Sequence, residues 1–402
     1  MSENIEYIKT SVGLIPSDWK LIKFEDLFDF KNGINSSKEF YGDGVKFINV
    51  MEIIYNNSIT IDKIKGSVTI TEEQLVNYSV KKGDVLFNRT SETQKEIGLS
   101  AVYLSDEKVV FGGFVIRGIS KNDILDLNFK KSCFLSKIVR DQIIKGGQGA
   151  VRTNIGQTDL EKILLPVPPL LEQQKIASII DVWDVAIDNC TAIIENLKNR
   201  NKGLVNKLII DNGELNVKLG NVFVESKIPT VDADVNKRIT VRLTLKGIEK
   251  RGVRGSELEE ATSYYLRKSG QFIYGKQNLH KGAFGIIPDE LDGFESSSDI
   301  PAFDINKEFN SKYIFYYFSR RHFYEKLEDI STGTGSKRIQ PKELYKVEIK
   351  VPSTLEKQNA IVKIIDTATD ELTKYEQKLE TLQVQKKGLM QQLLTGKTRV
   401  KI

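Results

Sequence analysis

Apolar residues recur along this chain in two long runs of alternating four- and three-residue steps. The first run is Ile176, Ile180, Trp183, Ile187, Cys190, Ile194, Leu197, Leu204 and Leu208, with Asn201 its polar member. The second is Ile361, Ile365, Ala368, Leu372, Tyr375, Leu379, Leu382, Leu389 and Leu393, with Lys386 in the place of Asn201. Such spacing lines one helix face and forms the seam of a coiled coil. The runs are copies of each other: from Gln173 to Leu208, 11 of 36 positions are identical to those 185 residues further on. Helices are predicted over about 170–211 and 354–395, each about 60 Å long at ~1.5 Å per residue. Ser353-Thr354-Leu355-Glu356 reads as a capping box. Gly213 and Gly396 stand where C-terminal caps belong. If the helices pair antiparallel about their midpoints, Asn201 faces Ala368 and Lys386 faces Trp183. The lysine stem can then lie on the indole for a cation–π gain of ~0.5–2 kcal/mol.

The repeat begins before the helices. At an offset of 184, Gly149 matches Gly333, Ile155 matches Ile339, Leu160 matches Leu344, and Val167-Pro168 matches Val351-Pro352. Each copy thus reads as a Gly-rich basic loop, a short strand, a proline and a long helix. Upstream, 14–165 and 214–350 are rich in β-branched and aromatic residues broken by Gly, Asn and Ser, which reads as short strands. Shorter helical patterns fall at 129–144 and 311–327. The predicted fold class is α+β: two small mixed α/β domains separated by two long antiparallel coiled-coil helices in a pseudo-twofold tandem repeat. The predicted boundaries are 1–165, 166–213, 214–350 and 351–402.

Composition narrows the function. No run of 18 apolar residues exists to span a membrane, and the N-terminus has no apolar signal core. Cys133 and Cys190 are the only cysteines, which argues against a disulfide framework and fits a reducing cytoplasm. With His280 and His322 the only histidines, no metal site and no cofactor is expected. No methyltransferase motif or phosphate-binding loop is complete; Gly396-Lys397-Thr398 lacks the earlier glycine, since Gln391 stands there. Asp29-Phe30-Lys31 and Pro288-Asp289 are isolated fragments of a nuclease pattern. A net charge of +5 permits nucleic acid binding without diagnosing it.

Specific residues point further. Leu165-Pro166-Val167-Pro168-Pro169-Leu170-Leu171-Glu172-Gln173-Gln174-Lys175-Ile176 resembles the opening of the spacer helix in specificity subunits of type I restriction–modification enzymes. Val351-Pro352 through Ile361 is a second, degraded copy, with Lys357 where the first has Glu172. Ile15-Pro16-Ser17-Asp18-Trp19-Lys20 resembles the start of that family's target recognition domain, and Gly83-Asp84-Val85-Leu86-Phe87 its "G-D-[IV]-L" strand. The second domain keeps only Gly270 of that strand motif. The resemblance implies two domains that each read half of a split DNA target. It also implies antiparallel helices that hold them apart, methyltransferase subunits that dock on the assembly, and restriction subunits that join through these. The alternatives are a recognition subunit of another restriction–modification type and a coiled-coil adaptor that binds no DNA.

The candidate DNA contacts follow. Arg152 and Asn154 belong to the first Gly-rich loop and Lys337 and Arg338 to the second, where glycine lets backbone N–H groups approach phosphate. Arg89, Thr90 and Ser91 follow a predicted strand, as do Lys276 and Gln277; Arg and Gln are common base readers. Arg242, Lys246, Arg251 and Arg254 lie in the basic stretch 237–254, read as a phosphate track on one strand face. The bland reading of each is a solvated turn. Ile179, Ala186 and Ile193 widen the apolar face of the first helix and are candidates for partner contact or for packing on the chain's own domains.

Overall fold

The computed structural model describes residues 6–35, 40–149, 152–230, 234–252, 263–333 and 337–402. It divides into two compact units, Met1–Cys190 with Lys378–Ile402, and Thr191–Gln377. The long helices run Leu170–Asp211 and Leu355–Leu393, so each contributes one half to each unit.

In the first unit a five-stranded sheet has the order Phe28–Asn32, Val115–Ser120, Val85–Asn88, Ser100–Tyr103, Ser58–Ile59. Its central strand Val85–Asn88 is buried at every residue, which explains an unbroken apolar run rather than alternation. Phe24, Phe28, Phe87 and Phe134 pack edge to face or tilted, with ring centroids 5.5–6.4 Å apart. Ile176, Ala177 and Ile180 of the first long helix and Met390 and Leu393 of the second enter the same core. In the second unit the sheet order is Phe223–Ser226, Ala302–Ile305, Phe272–Tyr274, Phe284–Ile286. Phe223, Phe272, Phe303 and Phe318 form its centre, closed by Ile209, Ile361 and Ile365 of the long helices.

The repeat is visible in hydrogen bonds within each unit. Lys20–Lys23 pairs antiparallel with Leu164–Val167, and Leu215–Lys218 with Glu348–Val351. Gln173 Oε1 accepts from the Asp126 N–H at 2.8 Å, and Gln358 Oε1 from the Asn310 N–H at 2.9 Å. Asp126 and Asn310 are themselves the N-caps of the helices Leu127–Cys133 and Ser311–Ser319. Each predicted short helix is in fact two. The first breaks where the Ser136 hydroxyl caps Lys137–Gly146; the second breaks at Arg320, which is extended.

The long helices pair antiparallel within each unit. Asn201 Nδ2 donates to the Ala368 carbonyl at 2.8 Å, the facing expected from the seam. Arg200 and Lys198 reach Glu371 and Glu376 at 2.8 and 3.1 Å. Lys386 does not take the Trp183 ring as its partner; its ammonium pairs with Asp184, one residue further on. A half-buried full charge outcompetes a ring quadrupole for the same cation.

Two cap assignments shift. The second long helix is capped by Thr354, whose Oγ1 accepts from the Lys357 N–H at 3.3 Å, not by the pair Ser353 and Glu356. Gly396 has φ +70° and is a left-handed cap. Gly213 has no such φ; a Cβ there would lie 2.7 Å from Lys350 Cβ, so close strand packing demands it.

Candidate nucleic-acid interface

The Gly-rich loops close in the same way in both units. Gln148 and Asn154 exchange backbone hydrogen bonds at 2.9 and 2.8 Å, and Thr332 and Arg338 do so at 2.9 Å each. The second residue of each loop, Gly149 or Gly333, has φ +123° or +113°. Glycine is therefore required for a backbone conformation that other residues rarely adopt. Beyond the loop, the Ile155 N–H donates to the Arg89 carbonyl at 3.0 Å, and the Ile339 N–H to the Lys276 carbonyl at 2.8 Å. Each unit thus holds a strand end against a closed basic loop. Arg89 and Lys276 occupy the same place, six residues after glycines of φ +91° and +80°, Gly83 and Gly270. Gly270, the one residue of the strand motif kept in the second domain, thus marks the same backbone turn as Gly83.

The motif's acidic residue also has a counterpart. Asp84 Oδ2 accepts from the Lys81 N–H at 2.7 Å, and Gln271 Oε1 from the Lys268 N–H at 3.0 Å. Asp84 is buried and salt-bridged to Arg117. Desolvation raises its carboxyl above the usual range, opposed by the Lys81 N–H and Arg117. Gln271 meets the same backbone demand without charge and donates to Asp304 at 3.0 Å.

In the first unit the structure brings Arg89, Thr90, Arg152 and Asn154 together. Thr90–Ser91 pairs antiparallel with Thr153–Asn154. The Thr90 hydroxyl donates to Asn154 Oδ1 at 2.7 Å, and Arg152 lies 3.7 Å from Glu92. Ser91 is buried, its hydroxyl donating to Glu96 at 3.1 Å, so it supports the loop from inside. Phe114 is 57% exposed, and its carbonyl accepts the Arg89 N–H. In the sequence a Phe after two glycines resembles a core residue, so nothing there marks Phe114 as exposed.

In the second unit Lys276, Gln277, Lys337 and Arg338 gather around one loop. Lys337 pairs with Glu328 at 3.2 Å, and Arg338 reaches Asp299 at 3.4 Å. Gln277, Lys337 and His280 line a polar cleft of about 630 Å³. Burial lowers the His280 pKa, against the pull of Glu328. All these ion pairs are at least a third exposed, so they leave the cations available to a polyanion.

The basic stretch is not one strand face. Ile239–Val241 and Ile248–Lys250 form a hairpin, which places Lys246 in the turn and pairs Arg242 with Glu249 across the strands. The Arg251 N–H bonds the Arg238 carbonyl, and Arg238 itself is buried over Tyr264 at 4.1 Å. Arg254 lies outside the described residues.

Among the described residues no cluster of His, Cys, Asp and Glu could hold a metal ion, and no helix is long and apolar enough to cross a membrane. The "Type I restriction modification DNA specificity domain" matches residues 16–200 and 248–383. The chain belongs to this specificity family. It is 27% identical to the "Putative type I restriction enzyme MjaX specificity subunit" of Methanocaldococcus jannaschii, over 98% of this chain and 96% of that one. It is 22% identical to the MjaVIII specificity subunit of the same organism, over 98% and 97%. The fold is shared with the type I S subunit of M. genitalium, with a TM-score of 0.53, 15% identity and coverage of 100% and 98%. It is also shared with a chain from a study of type I complex assembly, with a TM-score of 0.59, 13% identity and coverage of 96% and 99%.

Of the three residues expected to meet a partner of this specificity chain, Ile179 is half-buried and packs on the core of its own unit. Ala186 is half-buried, and Ile193 is 38% exposed. Val182 and Val185 of that helix are more open, 68% and 59% exposed.

Proposed function

We propose that each unit reads one half of a two-part double-stranded DNA target through its strand end and closed loop. The observation that carries this reading is one backbone site furnished with unlike side chains. Arg89, Thr90, Arg152, Asn154 and the exposed Phe114 face one half-site. Lys276, Gln277, Lys337 and Arg338 face the other, with Arg242, Lys246 and Arg251 on phosphates. Arg and Gln suit base edges, and lysines suit phosphate. Ser91 contributes by holding the loop. The chain is non-catalytic and cytoplasmic in this reading. Methyltransferase subunits dock on the long helices through Ala186, Ile193, Val182 and Val185, and restriction subunits join through them.

The test is to map methylated adenines in cells expressing the chain with its modification subunits. Arg89→Ala is expected to relax one half of a split motif and Lys276→Ala the other. A methylome that does not change when the chain is removed overturns the reading. In vitro, removal of one phosphate-contacting cation is expected to lower the slope of log affinity against log salt by about 1.

A further inference from the structure

The repeat contains an inversion of charge. Where the first long helix begins, Glu172 is fully buried and accepts two bonds from Arg399, at 2.6 and 2.8 Å, plus the Trp19 indole N–H at 2.9 Å. Arg399 also grips Asp18 at 2.6 and 2.9 Å. Where the second long helix begins, Lys357 pairs with Glu214 at 2.6 Å, and the Ser353 N–H adds a bond to the same carboxylate at 3.2 Å. At the repeat offset of 185, Lys357 stands for Glu172 and Arg399 for Glu214. Each unit therefore clasps the start of one long helix to the segment that follows the other. The first clasp has an acidic start and a basic end; the second has a basic start and an acidic end.

The inversion matters because the helices are so alike. Copies with a shared apolar seam can also pair with themselves, first helix to first helix and second to second, between two chains. In that register Glu172 would meet Glu214 of the other copy, and Lys357 would meet Arg399. Both ends repel. The ion pairs along the seam vanish as well. Arg200 and Lys198, which now meet Glu371 and Glu376, would face Ala186 and Thr191. Lys386, which now meets Asp184, would face Thr369. No interhelical ion pair of the observed arrangement has a counterpart in the like-with-like arrangement. Paired helices use charge in this way to reject wrong partners.

We propose that the opposite polarity of the two clasps blocks pairing of like helices between two copies of this chain and reserves each long helix for its unlike partner. The second copy is thus the association partner that the surface is built to refuse. The proposal is independent of DNA recognition.

The experiment reverses one clasp in the full-length chain. In Glu214→Lys/Lys357→Glu the clasp is still complementary, but every start is now acidic and every end basic. Like-with-like pairing then gains attractions at the sites where it was repelled. Two differently tagged copies are unfolded and refolded together, and the hybrid complexes are weighed by native mass spectrometry. The reversed variant is expected to give about tenfold more hybrid than the wild type, as clashes become attractions. Glu214→Gln/Lys357→Gln, which has neither clash nor attraction at this clasp, is expected to fall between the two. An exchange of helices that keeps unlike pairing preserves every ion pair under the reversal, so it cannot produce the increase. Equal hybrid yields from wild type, reversed and neutral chains, all folded by circular dichroism, overturn the proposal.

Discussion

Arg117→Met isolates the energetics of the buried site behind the first strand end. Arg117 Nε and Nη2 each lie 2.7 Å from Asp84 Oδ2, and both side chains are about 6% exposed. Removing the guanidinium leaves a carboxylate with the Lys81 N–H but without its principal counter-charge. Stranding one member of a buried pair costs about 3–5 kcal/mol, or about 6–20 °C in melting temperature for a unit of this size. The chain's two tryptophans, Trp19 and Trp183, both lie in the first unit, so their fluorescence follows its unfolding alone. The sign with pH is set by the raised Asp84 pKa. A carboxyl that holds its proton more tightly when folded subtracts stability as pH rises through its unfolded value of about 3.9 toward its folded one. Arg117→Met raises the folded value further, so the deficit is largest at neutral pH and shrinks on acidification. Asp84→Asn/Arg117→Met removes both charges and is expected to recover part of the loss. A melting temperature within about 2 °C of the wild type, or a deficit that does not change between neutral and acid pH, refutes this account of the pair.

Three further outcomes are expected. Gly149→Ala places a Cβ 2.1 Å from the Arg152 carbonyl at φ +123°; strain of about 1–3 kcal/mol is expected to lower the tryptophan-detected melt. The mirror change Gly333→Ala leaves that signal unchanged, because it lies in the other unit. Glu214 is held down to about 2, chiefly by its hydrogen bond from Lys357. Its stabilising effect is therefore present above about pH 4.3 and lost as pH falls toward 2, and Lys357→Ala is expected to abolish that acid dependence in hydrogen exchange of the second unit. Asn201→Leu removes the donor to Ala368 and is expected to keep or raise the urea midpoint of the second unit while loosening helix register; crosslinking across the seam reads the register.

The long helices were legible because a seam is a one-dimensional pattern: the spacing, bounded by the proline-rich entry and a glycine stop, predicted 170–211, and antiparallel pairing about the midpoints then faced Asn201 with Ala368. The partner of Lys386 was not, because Asp184 lies off the seam. Pair geometry across two helices depends on rotations that spacing does not specify. The closed loops were half legible. Gly149 and Gly333 stood out as repeats, yet nothing in one strand of letters shows that Gln148 bonds Asn154 or that Arg89 meets Ile155. The stretch 237–254 misled for a related reason. Alternating cations suit one strand, but Thr244 and Leu245 turn the chain back at φ +57° and +58°, in residues that seldom adopt that conformation. Ser91 looked like a neighbour of Thr90 on the rim, but successive residues of a strand point to opposite faces, and Ser91 turns inward to Glu96.

The two units show which positions of a duplicated fold can drift. Positive-φ glycines persist in pairs, Gly83 with Gly270 and Gly149 with Gly333, because no side chain substitutes for their backbone. A position whose shared demand is one backbone hydrogen bond can change its residue type, as Asp84 and Gln271 do while accepting the equivalent N–H groups of Lys81 and Lys268, each with its own second partner, Arg117 or Asp304. Positions whose demand is complementarity change only in pairs, as Glu172 with Arg399 became Lys357 with Glu214. The rim residues Arg89 and Lys276, or Asn154 and Arg338, obey none of these constraints. Each keeps its backbone bonds and changes its side chain. That is the division expected of a scaffold that keeps its frame and varies what it recognises.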